Sequence, residues 1–262
     1  MRWILALVLV LGAQQAQACG RATDCQTPSG SYRIALPDGA PEGVVLFFHG
    51  YRGTAAAAVR PGGLAEGPLA EGLAFVAPQG LGGSWAFGGA PRDGRDEMAF
   101  LDEVLADLDA RFDLPMDRIM VTGFSIGGTM AWEAACYRGA AFAGFAPIAG
   151  AYWRPQPDSC PSPPPVLLHI HGTADRTVPM QGRPIGPNAH QGDVRESIAQ
   201  WTEQAGCGAP VRRTDAVFSC ERWSDCEEGV IQLCLHDGGH SIRAEWLLRG
   251  WNELAEIKGW TE

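Results

Sequence analysis

Basic residues are scarce in this chain, and lysine occurs only once, at Lys258. Thirty acidic side chains oppose twenty basic ones, so the formal net charge is −10 at pH 7. The excess of arginine over lysine is interpreted as a bias of base composition. Nucleic acid and anionic membrane surfaces are themselves acidic, so neither is expected as a partner.

Long hydrophobic runs are missing beyond the first residues, which have the parts of a signal peptide. Arg2 precedes an apolar stretch, Trp3–Gly12, that is too short for a stable membrane anchor, and Ala16–Ala18 has the small residues of a cleavage site. We predict a signal peptide at residues 1–18 and a soluble, secreted mature protein, extracellular or periplasmic.

Lipidation of Cys19, the first residue after the predicted cleavage, is an alternative. Bacterial lipoprotein signals usually carry Leu three residues earlier, where this chain has Ala16. All eight cysteines follow the cleavage site, and lipidation would leave an odd number of them in an oxidising compartment. Four disulfides are therefore the favoured interpretation.

Repeats, a long linker and a second composition regime are also absent. The six prolines of Pro155–Pro165 indicate a surface loop that is too short to join domains. Hydrophobic residues make up 46 % of the chain, which is enough for a sizeable core. Residues 19–262 are therefore predicted to form a single domain, expected to be a monomer.

Short apolar runs alternate with segments of helical periodicity. Apolar positions repeat on one face in Leu101–Phe112 and in Val194–Ala205, which predicts two helices. This alternation predicts an α/β fold with a mostly parallel central sheet and helices on both faces. The predicted strands are Ser31–Leu36, Val44–Phe48, Leu73–Val76, Arg118–Thr122, Phe142–Ile148, Val166–Ile170 and Val230–Leu235.

Three short motifs occur in an order that indicates a catalytic function. Gly123–Gly127 reads Gly-Phe-Ser-Ile-Gly between a predicted strand and a predicted helix, which is the context of a nucleophile elbow at Ser125. His171–Asp175 and Gly238–His240 follow, each after a predicted strand. The order of nucleophile, acid and base is that of an α/β-hydrolase.

The base is predicted to be His240, because its glycine-framed loop can place an imidazole over the nucleophile. His49 and His171 precede glycines at strand ends and are expected to support loops. Asp175 is predicted to orient the base, and Asp158 and Asp193 are weaker candidates.

A metal site is not expected, although His169 and His171 alternate on one strand. No third ligand is spaced to join them, and a zinc site needs three or four protein ligands. No metal and no cofactor is therefore predicted. The oxyanion of the tetrahedral intermediate needs two fixed donors, which we assign to the backbone N–H groups of Ile126 and Tyr51.

With these motifs the chain resembles the secreted polyhydroxybutyrate depolymerase and feruloyl esterase group of α/β-hydrolases. The resemblance covers most of the chain beyond residue 18, and it implies a serine esterase without a large lid domain. The pieces that carry it are His49–Gly50, Gly83–Trp85, Gly123–Gly128, Ala146–Gly150, His171–Asp175 with Val178–Pro179, and Gly238–His240.

Two departures from the family pattern bear on the substrate. Members often continue the histidine motif with Trp-Pro-Gly, whereas this chain has Ser241–Arg243. Depolymerases of crystalline polymer often carry a separate polymer-binding domain, which is not expected here. The resemblance therefore implies either hydroxyalkanoate esters or hydroxycinnamoyl and acetyl esters of plant polysaccharide. A peptidase of the same fold and a non-catalytic secreted binding protein are the alternatives.

Aromatic residues follow several predicted strands, at the edge where open α/β sheets bind ligands. Trp85 and Trp153 are the candidate substrate-binding residues, with Tyr51, Phe87 and Tyr152 beside them. Ordinary loop packing is an equal alternative for these side chains. Only the segments Pro155–Pro165 and Arg183–Gln191 are predicted as loops long enough to overhang the site, which favours an open cleft.

The disulfide pairing is inferred from proximity in the sequence, because eight cysteines allow 105 pairings. Cys136–Cys160 is expected to tie the proline-rich loop beside the cleft, and Cys207–Cys234 to brace the segment that delivers His240. The two remaining expected pairs are Cys19–Cys25 and Cys220–Cys226.

Overall fold

The apolar runs of the sequence form the centre of a ten-stranded sheet. The computed structural model describes residues 19–91 and 94–260, so the predicted signal peptide at residues 1–18 lies outside the described residues. The strands, in chain order, are β1 (Cys25–Thr27), β2 (Gly30–Ala35), β3 (Gly43–Phe48), β4 (Leu73–Pro78), β5 (Ile119–Phe124), β6 (Gly144–Ile148), β7 (Trp153–Arg154), β8 (Val166–Gly172), β9 (Arg183–Ile185), β10 (Ala189–Gln191), β11 (Val211–Thr214), β12 (Ser219–Trp223) and β13 (Val230–His236).

The large sheet has a parallel centre and antiparallel edges. Its order is β1-β2-β4-β3-β5-β6-β8-β13-β12-β11. The strands from β4 to β13 in this order run parallel, whereas β1, β2, β12 and β11 pair antiparallel at the two edges. All seven predicted strands are present, and they include the six parallel ones.

Helices cover both faces of this sheet, as the strand composition requires. In β3, Val44, Leu46 and Phe48 face one core, and Val45 and Phe47 face the other. The helices are α1 (Ala55–Val59), α2 (Glu66–Ala70), α3 (Glu97–Arg111), α4 (Ile126–Arg138), α5 (Val194–Gln204) and α6 (Ala244–Lys258). The first core is closed by α3, α4 and α5, and the second by α1, α2 and α6.

A separate three-stranded sheet was not predicted. Its order is β7-β10-β9, and both pairings are antiparallel. The segment Arg183–Gln191, predicted as a loop, is in fact the β9–β10 hairpin of this sheet. Strands of two and three residues are too short to show a period, so the sequence pattern could not reveal them.

Two of the four expected disulfides are wrong in their partners. Cys19–Cys25 and Cys136–Cys160 are formed, but the other four cysteines pair as Cys207–Cys226 and Cys220–Cys234. The expected pairs Cys207–Cys234 and Cys220–Cys226 are therefore corrected.

The reason is the register of the antiparallel edge, which sequence proximity does not show. Cys220 of β12 lies directly opposite Cys234 of β13, with Cα atoms 4.0 Å apart. Cys226 follows the end of β12 and lies beside the end of α5, where the N–H of Glu227 donates to the carbonyl of Ala205. Cys207 is therefore its neighbour. The disulfide that ties β13, the strand leading to His240, therefore joins it to β12.

The parallel strands bring four loops to one edge of the sheet. β3 leads into His49–Tyr51, β5 into Ser125, β8 into Asp175, and β13 into His240. Carboxyl ends of neighbouring parallel strands meet at the same edge, which is where open α/β sheets bind ligands.

Candidate active site

The turn between β5 and α4 holds Ser125 in a strained conformation. Ser125 has φ 61° and ψ −123°, a region that residues other than glycine rarely adopt. Its N–H donates to the carbonyl of Ile148, 3.0 Å away. A Cβ on Gly123 would lie 2.1 Å from the carbonyl oxygen of Gly127, and one on Gly127 would lie 2.0 Å from that of Phe48. Only glycine fits at both positions, so the motif is required by the close packing of this turn.

Asp175 and His240 are joined by a short hydrogen bond. The Nδ1 of His240 lies 2.7 Å from Oδ2 of Asp175, whose side chain is fully buried. The other carboxylate oxygen accepts the N–H groups of Thr177 and Val178 at 2.8 and 2.9 Å. Asp158 and Asp193, the weaker candidates, lie elsewhere: Asp158 is exposed, and Asp193 caps the start of α5.

The charge of Asp175 is stabilised by these same contacts. Burial alone would raise the pKa of Asp175, but the hydrogen bonds with His240, Val178 and Thr177 outweigh it and hold the pKa below its usual range. The carboxylate therefore stays ionised at neutral pH. Because Nδ1 of His240 donates to it, Nε2 is left as the acceptor.

Two buried histidines support the Asp175 loop. The Nε2 of His171 donates to the carbonyl of Val178 at 2.8 Å, and its Nδ1 lies 3.0 Å from Nε2 of His169. Burial lowers the pKa of both imidazoles, so both are neutral. Within residues 19–91 and 94–260, no cluster of three or more metal-ligating side chains is found.

The loop after β3 is fixed by His49 and Trp85. The Nδ1 of His49 donates to the carbonyl of Gly50 at 2.9 Å, and its Nε2 accepts the N–H of Gly80 at 3.0 Å. The indole N–H of Trp85 donates to the carbonyl of His49 at 2.8 Å. Burial lowers the pKa of His49, which keeps the ring neutral.

Trp85 is therefore not a wall of the site. It is only 3 % exposed, and its ring packs edge-on against Phe48 at a centroid distance of 5.0 Å. Tyr152 is also a core residue, because its hydroxyl donates to the carbonyl of Trp132. Both aromatic residues follow strands, but they turn inwards and support the loops from below.

A cavity of about 380 Å³ opens at Ser125. Tyr51, Ile126 and Trp153 line it together with the serine. Since α4 begins at Ile126, the N–H of this residue has no acceptor in a preceding helical turn. Trp153 is thus the candidate substrate-binding residue that the structure places at the cavity. The remaining lining residues are Ser84, Pro91, Thr129, Thr177, Val178, Arg183, Ile185 and Gln191.

The ring of His240 packs against the ring of Phe124, the residue that precedes Ser125. The two ring centroids are 4.5 Å apart. No hydrogen bond joins Ser125 Oγ to His240 among the described residues. The Nε2 of His240 has no other partner in that part of the chain.

No family model matches this chain. Over 254 residues it is 28 % identical to NocK of Nocardia uniformis subsp. tsuyamanensis, which bears the name of an esterase; the match covers 87 % of this chain and 73 % of NocK. It is 26 % identical to feruloyl esterase B of Piromyces equi, covering 91 % of this chain but only 40 % of that enzyme.

A solved structure, the acetyl xylan esterase from Aspergillus awamori, superposes with a TM-score of 0.60 at 16 % identity, over 85 % of this chain and 93 % of the other. The chain is an esterase of the α/β-hydrolase fold. The predicted fold, the resemblance to feruloyl esterases and the class of carboxylic ester hydrolase are confirmed.

In this esterase the sequence analysis named Trp153 and the segment Arg183–Gln191 as candidates near the site, but it did not predict that they join in one small sheet that forms a wall of the cavity. Trp153 of β7, Gln191 of β10, and Arg183 and Ile185 of β9 all lie on the small sheet and line the cavity. The only signal for this wall is the position of its segments after β6 and β8. None of the residues 155–165, which were expected to overhang the site, lines the cavity.

The site contains the groups that acyl transfer to a serine requires. They are a serine on a sharp turn, an imidazole whose Nε2 has no partner among the described residues, a buried carboxylate bonded to that imidazole, and a helix start at the cavity. The described residues include no helix long and apolar enough to cross a membrane.

Proposed function

We propose that Ser125, His240 and Asp175 act as a catalytic triad that hydrolyses carboxylic esters through an acyl-enzyme. The observation that carries this proposal is the strained elbow at Ser125, which opens into a cavity, together with a His240 that packs on the neighbouring Phe124 and is oriented by a buried, ionised Asp175. Backbone strain of this kind persists at functional sites, where the surrounding structure fixes it.

In the proposed reaction Ser125 Oγ attacks the ester carbonyl and its proton passes to Nε2 of His240. The N–H groups of Ile126 and Tyr51 stabilise the oxyanion. The alcohol leaves with the proton from His240, and water then releases the acid by the same route. The Oγ–Nε2 hydrogen bond forms when substrate is bound, because such contacts are often loose in the free enzyme.

The names of the relatives support a substrate class for this proposal. Feruloyl and acetyl xylan esterases among them support hydroxycinnamoyl or acetyl esters of plant polysaccharide. Hydroxyalkanoate esters stay a prediction from sequence motifs alone. The four disulfides fit a secreted protein, released after a signal peptide at residues 1–18, with residues 19–262 as one catalytic domain.

The test is Ser125→Ala with p-nitrophenyl acetate and butyrate. We expect kcat to fall by about 10³-fold or more, since the oxyanion donors and binding alone remain. The control is Ser159→Ala, an exposed serine far from the cavity. A fluorophosphonate probe should label the wild type at Ser125 and leave the alanine variant unlabelled. Hydrolysis or labelling that survives in Ser125→Ala would refute the assignment.

A further inference from the structure

The side-chain amide of Gln191 is buried at the cavity, and its Oε1 has no hydrogen-bond partner among the described residues. Gln191 is 5 % exposed and lines the same cavity as Ser125. A buried amide oxygen without a hydrogen bond destabilises the protein, so an unpaired one at the cavity that contains Ser125 points to a ligand.

The register of the small sheet places Gln191 in a row with two other functional side chains. Gln191 lies directly opposite Trp153 of β7 on one side and opposite Arg183 of β9 on the other. Residues that face each other across antiparallel strands project from the same face. The row therefore presents an indole, an amide and a guanidinium to the cavity, and all three line it.

Arg183 is held in place at one end and leaves donors at the other. Its Nε donates to the carbonyl of Thr177 at 2.9 Å, and Thr177 is also bound to Asp175. No carboxylate in the described part of the chain forms an ion pair with this guanidinium. Its terminal N–H groups are thus available to a ligand that Gln191 also contacts.

Trp153 provides a flat apolar surface beside the amide. Its ring packs edge-on against Phe87 at 5.6 Å, which fixes the plane of the indole. It is almost fully buried, yet it lines the cavity. An aromatic ring of a substrate can stack on such a surface, with its far edge reaching the amide.

We propose that Gln191 is a specificity-determining residue that binds a hydroxyl group on the aromatic acyl half of the substrate. This inference rests on the proposed function. The hydroxyl donates to Gln191 Oε1 and accepts from Arg183, while the ring that bears it lies against Trp153. A hydroxyl does both, whereas a carboxylate would place oxygens against Oε1 and a bare ring would leave the amide unpaired.

The experiment compares kcat/KM for three methyl esters: 4-hydroxycinnamate, 4-methoxycinnamate and cinnamate. In the wild type we expect the hydroxyl to raise kcat/KM by about 10-fold or more over both others, because only it offers a hydrogen to Gln191. In Gln191→Leu this ratio should fall to about 1, while hydrolysis of p-nitrophenyl acetate is retained and shows that the variant folds.

Two further variants provide a substitute for Gln191→Leu and a control. Gln191→Met retains the length of the side chain without its polar atoms and should show the same loss of preference if Gln191→Leu does not fold. Gln26→Leu, an exposed glutamine on β1, should leave every ratio unchanged.

The outcomes separate the two proposals. A wild type without preference for the hydroxyl, or a preference that survives at position 191 without the amide, overturns the inference alone, since p-nitrophenyl acetate is still hydrolysed. A protein that hydrolyses none of the esters overturns the proposed function and the inference together.

Discussion

The elbow at Ser125 and the wall at Gln191 border one cavity but are held in different ways. The elbow lies at the centre of the ten-stranded sheet, where Gly127 packs against the backbone of Phe48 with no room for a side chain. The wall is a separate sheet whose strands have two or three residues and come from positions 153, 183 and 191.

Under the proposed function, this difference assigns the chemistry to the elbow and the specificity to the small sheet. The elbow and the Asp175 loop are fixed by backbone contacts to the main sheet, so they can serve any ester. The wall presents side chains on a small sheet beside the core and can change without disturbing the elbow. We call the elbow and the Asp175 loop together the framework. Changes in the framework should affect the hydrolysis of all ester substrates equally, and changes in the wall should affect some esters more than others.

Asp175→Asn gives the largest expected effect and tests the framework. The amide oxygen can keep the bonds from Thr177 and Val178, but an N–H₂ group would face Nδ1 of His240 and favour the wrong tautomer. We expect kcat to fall by about 10³-fold or more for p-nitrophenyl acetate and methyl 4-hydroxycinnamate alike. Steady-state kinetics with both esters measure it.

The matched control is Asp158→Asn, because Asp158 is exposed and distant from His240. It should retain wild-type kinetics. A loss confined to one of the two esters in Asp175→Asn would contradict the division between framework and wall.

Glu133 on α4 is the polar residue that works against the stability of the framework. It is 4 % exposed, and burial raises its pKa to about 8. Below pH 4.5 the carboxyl is protonated in both states, so its ionisation makes no contribution to stability there. Between pH 4.5 and 8 the unfolded chain loses a proton that the folded protein keeps, so stability falls as pH rises.

Glu133→Gln should therefore stabilise the protein by up to roughly 3 kcal/mol at pH 7 and have little effect at pH 4. Urea unfolding at both pH values measures the difference. The same change at the exposed Glu228 should leave the pH profile of stability unchanged. Equal stabilisation by Glu133→Gln at both pH values would mean that ionisation is not the cause.

The sequence predicted the framework because each part of it is local. The run Val44–Phe48 is apolar at every position, as is typical of a strand buried on both faces. The two glycines that the elbow requires lie two residues before and two residues after Ser125. The role of the loop that carries His240 was predicted from its position in the chain, after the motifs of Ser125 and Asp175. Each of these features can be recognised in the sequence without knowing which segments are in contact in the fold.

The sequence could not predict the features that depend on strand register. Cys220 and Cys234 are neighbours only because β12 pairs with β13, and proximity along the chain suggested another partner. Gln191 gave no signal of its own, since its role depends on the residues opposite it in two other strands. For Trp85 the sequence left loop packing and substrate binding as equal alternatives, because a position after a strand does not tell whether a side chain turns outwards, and the structure shows loop packing.

Ile185→Ala is the smallest change expected and tests the wall. Ile185 is half-buried on β9 and lines the cavity two residues after Arg183. We expect a loss of stability of about 1 kcal/mol and a fall of about 10-fold in kcat/KM for methyl cinnamate, because the ring loses apolar contact. Hydrolysis of p-nitrophenyl acetate, whose acyl group is too short to reach the wall, should change less than about twofold by the same contact argument. Val217→Ala, an exposed apolar residue away from the cavity, serves as the control. An equal fall in kcat/KM for both esters would mean that Ile185 acts on every substrate, as the framework does. It would contradict the selective role of the wall.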